Sequence, residues 1–196
     1  DWESLKNPAD KDSLYPCKDD KDFPPEVTVY DGRFNLLIPG AVDGHVHFNT
    51  PGFEDRENFE HGSLAAAFGG VTTVIDMPCT SLPPVTSNEH LKIKLGRLQN
   101  RSYIDYAFWG GVRGNDLETT NVNELITGLK EAGVVGFKVY MISGMDTFNE
   151  LNFEQLFQVA EWIQPTGLPM GVHAERKSNI LLRERTGLPI IYAEDP

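Results

Sequence analysis

From about residue 36 onward, short stretches rich in β-branched residues alternate with amphipathic stretches, and the strand-like ones recur about every 30–35 residues. This alternation constrains the fold more than any other feature. Strands that are apolar on both faces, separated by helices, form a parallel sheet covered by those helices. Residues 35–42 read as a buried strand leading into Asp43-Gly44-His45-Val46-His47. Residues 59–68 read as a helix closed by Gly69-Gly70, followed by the β-branched strand Val71-Thr72-Thr73-Val74-Ile75-Asp76-Met77. Ser87 can cap a helix running to about Gln99, and the strand at 104–109 is ended by Gly110-Gly111. A helix at 121–132 carries Val122, Leu125, Ile126 and Leu129 on one face; then come a strand at 134–141, a helix at 153–163 and a strand at 170–173.

A doubly wound sheet and a barrel both satisfy that order. The polar residues singled out below separate them, because they lie on strands or at strand C-terminal ends and come from at least three strands. A (β/α)8 barrel assembles its site there. A full barrel takes roughly 250 residues, so the fold class expected is α/β, an incomplete (β/α)8 TIM-type barrel comprising about its first five βα units. Two regions are expected. Residues 1–35 form a polar N-terminal segment, with Lys18-Asp19-Asp20-Lys21-Asp22 as a solvated loop and Val27-Thr28-Val29-Tyr30 as the remnant of a small β region; residues 36–196 form the N-terminal part of the barrel.

Charge narrows the function. Twenty-nine acids against 17 bases give a formal net charge of −12, which repels phosphate backbones and argues against a nucleic-acid partner. Cys17 and Cys79 are far apart and form no CxxC pair, so a reducing compartment is expected. No apolar run approaches the roughly 20 residues that span a bilayer, and no leader pattern opens the chain. A cytoplasmic protein without membrane contact is the expectation.

Asp43-Gly44-His45-Val46-His47 is the strongest chemical signal. Residues two apart on a strand face one side, so both imidazoles point to one place and can make half of a zinc-type site. A bare HxH is short, and two surface histidines fit it equally well. Asp43 faces the same way and could orient an imidazole. His173 ends its own strand, where a packed, hydrogen-bonded histidine is the commoner case; a second strand offering two ligands to the same face shifts that balance. Lys138 lies inside Val134-Val135-Gly136-Phe137-Lys138-Val139-Tyr140-Met141, where a charge is costly. It either snorkels to water or has its pKa lowered by burial. A neutral amine there could take up carbon dioxide as a carbamate, an anion able to bridge two metals. Asp76 reads as a strand end or a wall of the site, His61 and His90 as helix residues outside it, and Phe108 and Trp109 as core aromatics.

With these residues in view, the chain resembles the amidohydrolase superfamily. Leu37-Ile38-Pro39-Gly40-Ala41-Val42-Asp43-Gly44-His45-Val46-His47 is similar to its first-strand signature, and the following Pro51-Gly52 to the allantoinase and dihydroorotase branch. The stretch from Ala65 to Pro78, Gly136-Phe137-Lys138 and Val172-His173-Ala174-Glu175 are similar to later parts of that branch. The resemblance implies two divalent metal ions, zinc by preference, held by His45, His47, His173 and the carbamate of Lys138, with a bridging hydroxide that attacks the amide carbonyl. It implies a small-molecule cyclic ureide or amide as substrate and a homo-oligomer, often a tetramer. The general-base aspartate and a further histidine are expected beyond residue 196, so these residues alone should be inactive.

Departures from the branch bear on the substrate. Dihydroorotases carry an arginine where Asn49 stands and an asparagine where Cys79 stands, both partners of a substrate carboxylate. Hydantoinases carry a tyrosine where Ser143 stands. Asn49 and Ser143 are therefore the positions expected to face substrate. Asp76-Met77-Pro78-Cys79-Thr80-Ser81-Leu82-Pro83-Pro84 is more similar to allantoinases, although they carry Leu-Asn at Cys79-Thr80. Opening of allantoin to allantoate is the first expectation. A dihydroorotase-like or hydantoinase-like enzyme is the second, and a non-catalytic scaffold of the same fold or a small open-sheet binding protein remain alternatives.

Overall fold

The computed structural model describes residues 36–118, 121–175 and 180. The chain separates at Pro39 into two units, Asp1–Pro39 and Gly40–Pro196; the expected polar segment at 1–35 lies outside the described residues. The second unit runs β1 (Ala41–Val46), α1 (Phe59–Phe68), β2 (Val71–Asp76), α2 (Asn88–Leu98), β3 (Asp105–Gly111), α3 (Gly114–Leu117), α4 (Val122–Glu131), β4 (Gly136–Tyr140), α5 (Phe153–Ile163), a single 3-10 turn (Gln164–Thr166) and β5 (Met170–His173). All four strand pairings are parallel and the sheet order is β1-β2-β3-β4-β5. Neighbours in sequence are neighbours in space, the order of consecutive βα units in a barrel wall. The expectation of five units of an incomplete barrel is borne out. Among the described residues no helix is long and apolar enough to cross a membrane.

The helix starts follow from local chemistry. Asn58 accepts a hydrogen bond from the His61 N–H at 2.9 Å, and Ser87 from the His90 N–H at 3.2 Å, each satisfying a donor that a first turn leaves free. Asn152 and Gln155 exchange side-chain and backbone bonds in a capping box at the start of α5. The expected apolar face of α4 is the buried one, through Val122, Ile126 and Leu129.

Register sorts the sheet into two faces. Asp76 pairs with Phe108, and together with Val74, Phe137 and Val139 these residues turn toward the helices, where Leu91, Leu98, Ile126 and Leu129 complete a buried core. The opposite face carries Trp109, Gly111, Gly136, Lys138, Tyr140, Gly171 and His173, paired Trp109 with Gly136, Gly111 with Lys138, Lys138 with Gly171, and Tyr140 with His173.

Two expectations are corrected. The first strand is not a buried run over 35–42: it spans Ala41–Val46, and all of it except Val46 is exposed. It pairs only with β2 and, among the described residues, nothing covers its other edge. β3 does not stop at residue 109: Gly110-Gly111 are its last two residues. Gly111 pairs with Lys138, and a Cβ there would lie 2.6 Å from the Phe148 ring, so the glycine makes room for that ring at the strand's C-terminal end.

Candidate metal centre

The first two histidines leave β1 on the polar face. Their ring centroids are 5.3 Å apart and tilted by 58°, so both imidazoles share one region while neither stacks on the other. Backbone contacts fix the segment that carries them. The Trp109 indole N–H donates to the Gly44 carbonyl at 2.9 Å, and the Met77 N–H to the Val46 carbonyl at 2.9 Å. The Asp43 carboxylate accepts from the His45 backbone N–H at 3.0 Å, so Asp43 shapes the chain at His45 rather than gripping an imidazole. Phe48, the residue after His47, turns toward the helices and packs edge-on against Phe59 at 5.1 Å.

The Phe48 N–H donates to Asp76 at 2.8 Å. Asp76 is fully buried, and its other oxygen receives the ammonium of the fully buried Lys94 on α2. Lys94 also donates to Ser81 at 2.7 Å and lies 5.4 Å from the centroid of the Phe108 ring. Asp76, expected as a strand end or a wall, is thus the anchor that ties the histidine segment to β2 and α2. Sequence reasoning missed Lys94, although a signal existed. Leu91, Lys94 and Leu98 form the buried stripe of α2, and a lysine in such a stripe needs an acid opposite it.

Lys138 lies across the sheet, 5% exposed, between Phe137 and Val139, both fully buried on the opposite face. Among the described residues its ammonium has no hydrogen bond or ion pair; it sits 5.3 Å from the Tyr140 ring centroid. Burial pushes its pKa below the ordinary lysine range, against weaker opposing fields from Cys79 and Glu175. His173 stacks on the same Tyr140 ring at 5.1 Å and 29°, and its Nε2 lies 3.0 Å from Glu175. Burial, then the charge of Lys138, lowers the pKa of His45, with His173 adding to this and Asp43 opposing it. His47 is lowered first by burial, opposed by Asp76, and lowered further by His45 and Lys138. Contacts link these side chains in sequence: His45 lies beside His47, the His47 ring reaches the Cys79 thiol at 3.9 Å, that thiol meets the Tyr140 hydroxyl, and the Tyr140 ring faces both Lys138 and His173.

Three further residues, not predicted as site members, connect them. His47 Nδ1 lies 3.1 Å from the Thr80 hydroxyl and 3.9 Å from the Cys79 thiol. The same thiol is 2.9 Å from the Tyr140 hydroxyl. Burial pushes the Cys79 thiol up and the Tyr140 hydroxyl far above its ordinary range, so both stay protonated.

The positions expected to face substrate behave differently. Asn49 is 7% exposed with φ of +56°, and its carbonyl accepts the Phe53 N–H at 3.0 Å. A left-handed turn suits asparagine without any ligand. Ser143 accepts the Met145 N–H at 3.1 Å. It belongs to a crossover whose far end is held firmly. Phe148 is fully buried over Gly111 and packs edge-on against Tyr140 at 5.2 Å, while Arg113 donates to the Thr147 carbonyl at 2.7 Å. His61 and His90 bond to Asn58 and Thr86 and take no part in the cluster.

Among the described residues no three His, Cys, Asp or Glu side chains form a ready cation site. Imidazole nitrogens are donors of the kind zinc takes, whereas a Lys138 ammonium close to them would repel a cation, so the residues fit a divalent cation only where Lys138 carries no positive charge.

Residues 34–161 match the family described as dihydro-orotase-like. The allantoinase of Streptomyces avermitilis is 38% identical over 171 residues, covering 87% of this chain and 37% of that protein. The allantoinase of Arabidopsis thaliana is 36% identical over 160 residues, covering 81% of this chain and 31% of that protein. The chain thus spans about a third of the length of these curated relatives. Among solved structures, the L-hydantoinase (dihydropyrimidinase) from Arthrobacter aurescens superposes with a TM-score of 0.66 at 30% identity, over 76% of this chain and 32% of that one. A dihydroorotase from Saccharomyces cerevisiae, 16% identical with a TM-score of 0.55, shares the fold.

Proposed function

This chain belongs to the dihydro-orotase-like family, and on that premise we propose that it carries the metal-binding part of a hydrolase that opens cyclic amides, with a cyclic ureide of the allantoin type as substrate. What supports the reading is the run of contacts through Cys79 and Tyr140 that links His47, and His45 beside it, to Lys138 and His173. The identity of 36–40% to proteins named allantoinases supports the choice of ring.

Two divalent cations, zinc by the donor set, would supply Lewis acidity to a ring carbonyl and lower the pKa of water. His45 and His47 would hold one cation. Their lowered pKa values keep both imidazoles neutral at neutral pH, as a ligand must be. His173 would hold the other, and the carbamate of Lys138 would lie between them. Trp109 and Asp76 keep the HxH backbone in place through Gly44 and Phe48. The acid–base aspartate that serves the leaving nitrogen is expected outside these residues.

A dihydroorotate-like substrate is the second reading, and the cations near the site weigh against it. A substrate carboxylate needs a partner such as arginine. Lys94 is committed to Asp76, Asn49 is buried in its turn, and Cys79 bonds to Tyr140. The deciding experiment assays allantoin, dihydroorotate and hydantoin side by side with the intact protein, alongside metal analysis. Allantoin should be turned over fastest with about two cations per chain. Faster dihydroorotate or hydantoin opening would move the substrate, and a metal-free protein inert toward all three would favour the scaffold. A cytoplasmic location and a homo-oligomer belong to the same proposal, tested by fractionation and by sedimentation of the intact protein.

A further inference from the structure

The end of β2 supplies more than a wall. Residues 76–82 are tied down at successive points: Asp76 to the Phe48 N–H, the Met77 N–H to Val46, Cys79 to the Tyr140 hydroxyl, Ser81 to Lys94, and the Leu82 N–H to the Pro51 carbonyl at 2.7 Å. Thr80 sits in the middle of this fixed segment, 8% exposed, and its hydroxyl lies 3.1 Å from His47 Nδ1. An imidazole can engage a cation and a hydrogen-bond acceptor together only through opposite nitrogens, and the neutral ring carries a single N–H. Where Nδ1 carries the hydrogen and donates it to Thr80, Nε2 keeps its lone pair; where the Thr80 hydroxyl donates instead, Nε2 carries the hydrogen.

We propose that Thr80 is a positioning residue for His47: its hydroxyl accepts the Nδ1–H, selects that tautomer and aims Nε2 at the cation. This rests on the metal-centre reading above, and the Cys79–Tyr140 contact is part of it. The thiol–phenol bond joins the 79–80 segment to β4, the strand that carries Lys138, so the hydroxyl that orients a β1 ligand is referenced to the strand bearing the bridging group. A leucine at position 79 could not bond to Tyr140. The departure noted in the sequence therefore has a structural partner.

The test uses the intact protein and three forms at one position: wild type, Thr80→Val, which keeps the shape but removes the acceptor, and Thr80→Ser, which keeps the hydroxyl. NMR of isotope-labelled histidine in metal-stripped protein reads the His47 tautomer, and a chelator competition reads zinc affinity. The Nδ1–H form should dominate in wild type and Thr80→Ser and lose its dominance in Thr80→Val. Zinc affinity should fall about 10–100-fold in Thr80→Val and return in Thr80→Ser, the range seen when a ligand histidine loses its supporting partner. A Thr80→Val protein with the wild-type tautomer and zinc affinity within about twofold overturns the proposal. If wild type binds no cation at all, the metal-centre reading fails by itself, and the tautomer comparison still decides whether Thr80 orients the ring.

Discussion

Replacing Lys94 by methionine isolates the buried ion pair beneath the histidine segment. Two charges in contact at an effective dielectric near 20 attract by roughly 4–6 kcal/mol. Desolvating both ions takes much of that back, so the pair as a whole adds little to stability. Removing one partner is a different matter, because Asp76 is fully buried and would keep only the Phe48 N–H as a donor. Lys94→Met should therefore cost about 3–5 kcal/mol, the range for an ion left uncompensated in a core. That is a large part of a typical stability of 5–15 kcal/mol, read as roughly that total. The double variant Lys94→Met with Asp76→Asn keeps an acceptor for Phe48 and removes both charges, and should recover at least about 2 kcal/mol of the loss. Urea unfolding of the intact protein, with the wild-type slope used for all four corners of the cycle, gives these values. A Lys94→Met penalty below about 1 kcal/mol, or a double variant as damaged as the single, would mean that the pair is not the anchor described.

Two further outcomes concern Lys138 and the glycines. Protein stripped of metal under CO2-free conditions should regain its metal only when bicarbonate is present, with a mass gain of one carbon dioxide on Lys138. The carbamate forms from the neutral amine, and burial lowers the pKa of Lys138, so reconstitution should strengthen as pH rises toward that lowered pKa, a range in which an ordinary lysine is still protonated. Lys138→Ala should abolish the response, and full metal loading without bicarbonate would remove the carbamate from the account. Glycine substitutions should split by geometry. Gly136→Ala puts a Cβ 2.4 Å from Trp109 and should cost about 1–3 kcal/mol. Gly96→Ala in the last turn of α2 meets nothing within 4 Å and should add about 0.5–1 kcal/mol, both read from thermal or urea midpoints.

The strands, the helix cap at Ser87, and the positions of His45, His47, Lys138 and His173 on or beside strands were accessible to pattern reasoning because each depends on local periodicity or on a residue type that is expensive where it stands. Lys138 is an example: an amine in an apolar strand demanded an explanation before any coordinates. What escaped was partnership across the sequence. Lys94 reads as an ordinary helix lysine until Asp76, 18 positions earlier, is seen opposite it. Thr80 and Tyr140 are unremarkable in isolation and gain meaning only because β1, β2, β4 and β5 bring His47, Cys79 and His173 beside them. The exposed first strand was misjudged for the same reason. Apolar composition states what a strand tolerates, whereas burial depends on the neighbours it has. Asn49 and Ser143 show that a position singled out by resemblance also has a local role, in the turn it sits in.

The seating of Phe148 in the notch left by Gly111 ties three parts of the sheet together, because the ring also packs with Met77 and Cys79 and edge-on against Tyr140. A polar or smaller side chain at position 148 would therefore loosen β3, β4 and the segment after β2 at once, whereas a change of length between Ile142 and Met145 could be taken up before the ring is reached.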